Sequence, residues 1–196
     1  STIQSAIDAA SDGDSVLVSA DTYYENINFT GKNIALIGED RETTIIDGGQ
    51  SGSVVKFENG ENDDALFYNF TLQNGGSEYY GGGIYIDNSS PRIDNMIIEN
   101  NDAHNGGGIF IRYNCASYIS NLIIRNNIAE HGAGIYVTSS SQTDTSPIFT
   151  NVEVSNNFGT LSGGVHLRDW SNATFNNATI YGNTTLDDGG NYGDVG

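Results

Sequence analysis

Short runs of alternating apolar and polar residues recur along most of this chain. The stretch Gly81–Ile86 reads "GGGIYI", and close copies begin at Gly106, Gly132 and Ser162. In each copy the first and third residues of the closing triplet share one face, and an aromatic or histidine ring takes the other. This period of two, in segments rich in β-branched residues, predicts strands rather than helices.

A second segment repeats out of step with the first. Arg92–Asn101 reads "RIDNMIIENN", and it returns as "YISNLIIRNN", "IFTNVEVSNN" and "TFNNATIYGN", with an earlier copy "LFYNFTLQNG". The first Asn of each copy defines a column of residues that lie 26, 26, 30 and 26 positions apart: Asn69, Asn95, Asn121, Asn151 and Asn177. Repeats with a period of this size are the signature of a stacked, solenoid architecture.

Two or three short strands in about 25 residues fit one coil of a parallel β-helix, with successive coils about 4.8 Å apart. We therefore predict three inward columns of aliphatic side chains: Ile84, Ile109, Ile135 and Val165; Ile86, Ile111, Val137 and Leu167; Leu72, Ile98, Ile124, Val154 and Ile180. Glycines occupy the corner before one strand because the backbone turns tightly there. Asn100, Asn126 and Asn156 are expected at the other corner, with left-handed backbone and amides that stack from coil to coil. The stretch 138–147 is expected to bulge as a polar loop.

The N-terminal segment has a different pattern. Ile3, Ala6, Ile7 and Ala10 have helical spacing, with Ser1 or Thr2 as the N-cap. We predict a capping helix and turn over residues 1–14, which covers the open end of a β-helix spanning 15–196. The last residues, from Leu186 onward, look like another glycine corner. We therefore expect the β-helix to continue in a longer protein, or to self-associate through an uncapped C-terminal coil.

Charge and cysteine content exclude several classes of protein. Seven Lys and Arg against 25 Asp and Glu give a net charge of −18, which disfavours nucleic acid and anionic membranes as partners. No apolar run approaches the ~20 residues that span a bilayer, so no membrane insertion is expected. Cys115 is the one cysteine, so the fold has no internal disulfide, and we expect this residue to be a small buried apolar group.

Three N-terminal segments carry a resemblance to a known group of proteins. "IQSAIDAASDGDSVLV", "TYYENINF" and "IALIGED" resemble the start of many bacterial right-handed β-helix proteins of the pectate lyase-like superfamily. The "GGGI" and "NN" units are similar to repeats of chlamydial polymorphic outer membrane proteins. The resemblance implies an all-β, right-handed, single-stranded parallel β-helix of about six to seven coils with an N-terminal helical cap. It also implies an extracellular or cell-surface location, but the superfamily contains enzymes and inert adhesins alike.

The candidate chemistry is sparse. Asp87, Arg112, Thr138 and Arg168 fall in one column, which would seat an acidic sugar with Arg as a carboxylate clamp or form a solvated Asp–Arg pair. The acids at 62–64 and 186–188 would bind calcium or remain solvated loop residues. His104, His131 and His166 lie at different offsets from the strand marker, which predicts that they do not converge. We assign no catalytic residue and no metal ligand.

The outward column is the most suggestive feature. Tyr85, Phe110, Tyr136 and His166 would form a ladder of rings on one wall, with Trp170 just beyond it, and such rings stack on sugar faces. Cross-strand packing, or cover by the loop 138–147, is the alternative. The predicted ligand-binding residues are therefore these eight: Tyr85, Asp87, Phe110, Arg112, Tyr136, His166, Arg168 and Trp170.

Three functions fit these patterns. The first is a non-enzymatic extracellular module, either a scaffold or a wall that binds polysaccharide or adheres to a surface. The second is a polysaccharide-active enzyme, lyase-like or a hydrolase and calcium-dependent if calcium binds. The third is a structural spacer without a ligand.

Overall fold

The computed structural model describes residues 2–140 and 143–186. One helix, α1 (Ile3–Ala9), opens the described chain, and the Thr2 hydroxyl caps it by accepting a hydrogen bond from the Ser5 N–H. Ile3 and Ile7 are buried in the main core, as the helical spacing predicts. The helix contacts the first coil, so the predicted N-terminal cap is confirmed.

The strands of the described residues form three parallel sheets. The first sheet has ten strands: β1 (Ser15–Val18), β2 (Asp21–Tyr24), β4 (Ala35–Gly38), β5 (Thr44–Asp47), β7 (Leu66–Tyr68), β8 (Thr71–Gln73), β11 (Arg92–Glu99), β14 (Tyr118–Arg125), β17 (Ile148–Ser155) and β20 (Thr174–Tyr181). The second has six: β3 (Ile27–Asn28), β6 (Val55–Phe57), β10 (Ile84–Asp87), β13 (Ile109–Arg112), β16 (Ile135–Thr138) and β19 (Val165–Arg168). The third has five: β9 (Gly76–Tyr80), β12 (Asp102–Asn105), β15 (Ile128–His131), β18 (Phe158–Gly159) and β21 (Thr184–Thr185).

A complete coil visits the third, second and first sheets in turn. The strands β12, β13 and β14 make one such coil, and each of them pairs in parallel with its counterpart in the next coil. The result is a right-handed parallel β-helix of about six turns, as predicted.

The core lies inside the coils and consists of the predicted aliphatic columns. Ile84 pairs with Ile109, and Ile109 pairs with Ile135, so their side chains stack in register. Most members of the three columns are fully buried, and burying each such side chain stabilises the fold by about 1.5–3 kcal/mol. Leu167 and Ile180, in the last described coil, are half-exposed.

The first column of Asn residues bends the first sheet. All five members have left-handed backbone, with φ between +52° and +68°. The pairing of β11 with β14 passes from Asp94 to Met96 and omits Asn95, so the strand turns there. Asn tolerates this conformation better than other residues with a side chain, which explains why it recurs.

The prediction for the second asparagine corner is confirmed for the backbone and wrong in one detail of the side chains. Asn100, Asn126 and Asn156 do have left-handed φ of +56°, +56° and +54°. The amides that bond in a buried ladder, however, belong to the residues that follow them, Asn101, Asn127 and Asn157, and the ladder continues to Asn183, which follows Gly182. Because the left-handed residue reverses the chain, the next side chain turns inward and stacks.

The described residues after the gap in the loop 138–147 are more tightly held than a free bulge. Thr145 is fully buried, and its backbone forms parallel bridges with Cys115 on one side and Ser171 on the other. The predicted corner after Leu186 and the acids at 187 and 188 lie outside the described residues.

Candidate functional site

The predicted ring ladder forms on the outer side of the second sheet. Tyr85, Phe110, Tyr136 and His166 are paired in strict register on β10, β13, β16 and β19. Their ring centroids lie 5.9, 5.2 and 4.9 Å apart, with interplanar angles of 7°, 16° and 3°. Each inner ring therefore stacks face to face with its neighbours, and only ring edges point away from the wall.

Of the two alternatives for this ladder, cross-strand packing is the one that holds for Tyr85, Phe110 and Tyr136. Tyr85, Phe110 and Tyr136 are 7%, 1% and 4% exposed and form a second hydrophobic cluster outside the coil interior. Side chains from the ends of the third-sheet strands pack against them: Tyr80 lies 4.6 Å from Phe110, and His131 lies 6.3 Å from Tyr136, between ring centroids. A sugar could not stack on these three rings unless that cover moved.

The Asp87–Arg112 column is confirmed as a direct ion pair. The Arg112 Nε and Nη2 donate to Asp87 Oδ2 at 2.9 and 2.7 Å, and the Tyr85 hydroxyl donates to the same oxygen at 2.9 Å. Rings of Tyr80, Tyr85 and Tyr113 surround the guanidinium at 5.0–5.5 Å. Two of its donors are committed to Asp87, so Arg112 acts here as a structural partner rather than a free carboxylate clamp.

The electrostatics of this pair agree with its geometry. Burial lowers the pKa of Arg112, but the hydrogen bonds and charge of Asp87 outweigh it, so the pKa lies above its ordinary value. Burial raises the pKa of Tyr85, and its hydrogen bond to Asp87 raises it further. Both side chains therefore keep their protons across the physiological range, and neither is suited to act as a base.

The C-terminal part of the wall is open. The predicted column ends in Thr138 and Arg168, and both side chains approach Asp169, at 3.2 and 3.5 Å. A hydrogen bond with the Tyr136 hydroxyl raises the pKa of Arg168. Trp170 is 68% exposed just beyond β19, which is the condition for it to extend this wall.

Three exposed tyrosines were missed in the sequence. Tyr79 and Tyr80 end β9, with ring centroids 6.3 Å apart, and Tyr113 follows Arg112 in left-handed backbone. Tyr79 is 64% exposed, and the other two rings are more than one-third exposed. The sequence signal for Tyr79 and Tyr80 is that they are adjacent and lie directly before the glycine corner that begins at Gly81. We call Tyr79, Tyr80, Arg112 and Tyr113 the tyrosine patch.

The three histidines lie closer together than their different offsets predict, but in a row rather than at one point. The rings of His104 and His131 lie 6.1 Å apart, and those of His131 and His166 lie 5.3 Å apart, between centroids. His104 and His131 lie on strands of the third sheet and His166 lies on the second. The glycine corner between these sheets brings the three side chains to one edge despite their different positions in the repeat. Nevertheless, in residues 2–140 and 143–186 no group of three or more His, Cys, Asp or Glu side chains is placed to hold a metal ion, and calcium binding stays a prediction.

Cys115 lies beneath the tyrosine patch and is fully buried, as predicted. Its Sγ contacts the carbonyl oxygens of Arg112 and Tyr113 at 3.0 and 3.1 Å, and burial raises the pKa of the thiol to about 12.

We expect the Cys115 thiol to react with Ellman's reagent at pH 8 roughly a thousandfold more slowly in the native protein than in urea, because the thiolate is the reactive form. The measurement is the absorbance of released thionitrobenzoate with and without denaturant. Stoichiometric native labelling within minutes would show that the turn over Cys115 opens readily.

With this geometry in place, the chain can be assigned to a family. Residues 25–194 match the model of the right handed beta helix region family, and this chain belongs to that family. No curated protein and no solved structure matches the chain. The match does not reach the narrower pectate lyase-like superfamily or the polymorphic outer membrane proteins. Within the described residues, no helix has the length and apolar character to cross a membrane.

Proposed function

We propose that this chain is an extracellular or cell-surface β-helix module that binds a polysaccharide without cleaving it. The tyrosine patch and Trp170 provide the binding surface. The resemblance of the N-terminal segments to the pectate lyase-like superfamily, and of the repeats to surface proteins, supports this proposal. The strongly acidic composition agrees with the extracellular location.

The observation that carries the proposal is the tyrosine patch itself. Tyr79 and Tyr80 present ring surface to solvent, whereas the rings of the ladder do not. The ion pair of Arg112 with Asp87 holds the patch in place, and Tyr80 rests on Phe110 of the buried ladder. Aromatic rings held rigid in this way bind at small entropic cost, and large exposed aromatic residues are typical binding hot spots.

The same geometry argues for binding rather than cleavage on this wall. Arg112 is engaged by Asp87, and Tyr85 keeps its proton, so neither supplies the base that a lyase needs. The predicted anionic ligand is also disfavoured by the net charge of −18, which repels uronic acid polymers at low salt. A neutral polysaccharide is the ligand class that the patch fits best.

The test is incubation with a panel of neutral and anionic polysaccharides, with and without calcium, followed by measurement of bound protein and of new chain ends in the same samples. We expect binding of a neutral polymer without new chain ends. The Tyr79→Ala and Tyr113→Ala variants should each weaken it about tenfold, a loss of about 1.4 kcal/mol.

Tyr118→Ala is the matched control, since Tyr118 is equally exposed but lies on the first sheet, and its affinity should equal that of the wild type. New chain ends would replace the proposal with a polysaccharide-active enzyme. No binding by any polymer would leave a structural spacer.

A further inference from the structure

A row of three imidazoles links three successive coils. His104 lies on β12, His131 ends β15, and His166 lies on β19, with adjacent rings edge to face. Glu130 lies between the first two, with its oxygens 3.1 Å from His104 Nδ1 and 3.5 Å from His131 Nε2. We call these three histidines the histidine row.

His166 is held in the row from two sides. Its ring stacks on Tyr136 at 4.9 Å between centroids, and its Nδ1 lies 2.9 Å from the Ser162 hydroxyl. The Ser162 oxygen also accepts a hydrogen bond from the Gly132 N–H, and its hydroxyl proton is free to point to His166. In the neutral tautomer that carries its proton on Nε2, His166 accepts this hydrogen bond at Nδ1.

His131 is held in a neutral form by its surroundings. Its Nδ1 is buried and has no hydrogen-bond partner among the described residues, while Nε2 faces Glu130. A second proton would sit on Nδ1 as a buried donor without an acceptor, which is costly.

The charges around His131 come from four strands. They are one carboxylate, one phenol and three groups that are or can become cationic: Glu130 on β15, Tyr136 on β16, His104 on β12, and His166 and Arg168 on β19. Asp169, after β19, also faces His166. Cationic groups therefore outnumber the anions near His131 once the row is protonated.

Burial lowers the pKa of both His131 and His166 below its ordinary value. The charge of Arg168 and that of the neighbouring histidine lower it further, against opposition from Glu130 and Asp169. The folded protein thus takes up protons at lower pH than the unfolded chain. The stability that the row contributes is complete above about pH 6.5 and is lost as the pH falls through the lowered folded values.

We propose that the histidine row is an acid-sensitive clasp, which joins three coils of the β-helix while His131 and His166 are neutral and loosens when these two become charged. The loosening is local to the corner between the third and second sheets. It does not depend on the proposed carbohydrate binding.

Acidification has the opposite effect on the rest of the surface. Protonation of exposed carboxylates makes the net charge less negative than −18 and so reduces the repulsion between them. A loss of protection confined to the row is therefore distinguishable from a general acid effect.

The test is amide hydrogen exchange at pH 7.5 and pH 5.0, corrected for intrinsic rates. We expect peptides covering 128–138 and 162–168 to open about tenfold more often at pH 5.0, the equivalent of about 1.4 kcal/mol in the free energy of opening. The peptide covering 84–98 serves as an internal reference, and its opening should not increase. Equal protection at both pH values in the wild type would overturn the proposal.

The variants separate the clasp from ordinary packing. In the double variant His131→Phe and His166→Phe, which keeps ring stacking without titration, the rise at pH 5.0 should disappear. The control His104→Phe removes the exposed member and should retain most of the rise. If the double variant does not fold, His166→Phe alone replaces it. This variant should fold, because the outward column already carries Phe and Tyr at equivalent positions, and it should still reduce the rise. An undiminished rise in the double variant, or in His166→Phe where the double variant does not fold, would refute the assignment.

Discussion

Replacement of Asn127 with Ala is expected to destabilise the β-helix by about 4 kcal/mol, a large share of the stability of a domain. Asn127 is fully buried in the inner amide ladder. Its Nδ2 donates to the Ile98 carbonyl and to Asn157 Oδ1, and its Oδ1 accepts from both the backbone N–H and the Nδ2 of Asn101. Removal of the amide breaks four hydrogen bonds. Asn101 Nδ2 keeps the Leu72 carbonyl and Asn157 Oδ1 keeps the N–H of residue 127, but the Asn101 N–H and the Ile98 carbonyl lose their side-chain partner, at about 1–3 kcal/mol each.

The measurement is the urea midpoint and slope of unfolding, followed by far-ultraviolet circular dichroism. Asn176→Ala is the control, since Asn176 lies exposed on β20, and we expect a change within about 0.5 kcal/mol. If Asn127→Ala does not fold, Asn183→Ala offers a milder test, because Asn183 is only partly buried at the end of the same ladder. A loss below 1 kcal/mol for Asn127→Ala would mean that water or a neighbour replaces the amide.

The second large effect is expected at the glycine corner. A Cβ added at Gly108 would lie 2.5 Å from the Gly134 oxygen and 2.8 Å from Ile124 Cγ2. The Gly134 oxygen cannot retreat freely, because it accepts the Ile109 N–H at 3.0 Å and so fixes the spacing of the two coils. We therefore expect Gly108→Ala to cost about 3 kcal/mol, or to prevent folding.

Gly13→Ala distinguishes close approach from backbone strain. Gly13 has φ of +86° and open space around its Cα, so its replacement should cost only about 1 kcal/mol from strain. Comparison of the two urea midpoints tests the argument. Equal losses would show that the neighbours of Gly108 give way to the added Cβ and that the corner is not sterically closed.

Much of the fold could be predicted from periodicity. A column such as Ile84, Ile109 and Ile135 is visible in the chain because one coil of a solenoid needs a nearly constant number of residues. The left-handed Asn corners were visible for the same reason. The inner amide ladder lies one residue later than the sequence predicts, since a repeated Asn–Asn pair does not show which member turns inward.

The candidate site was less predictable. The sequence places Tyr85, Phe110 and Tyr136 on the outer face of the wall, which is correct, but whether a residue outside the coil meets solvent depends on its neighbours. Tyr80 and His131 come from the preceding strands of the third sheet and cover these rings. Whether the Tyr80 and His131 side chains contact the ladder depends on how sharply the chain turns at the glycine corner. The repeat pattern of the sequence does not specify that angle.

The sequence by itself determined the class of fold, the inward columns, the helical cap and the partnership of Asp87 with Arg112. These features follow from local periodicity and from register between equivalent positions, which a repeat records directly. Only the tertiary structure decided which rings are buried, that the histidines of three coils form one row, and that Tyr79, Tyr80 and Tyr113 make the exposed surface. These features depend on contacts between different sheets across a corner, and such contacts join residues at unequal positions in the repeat.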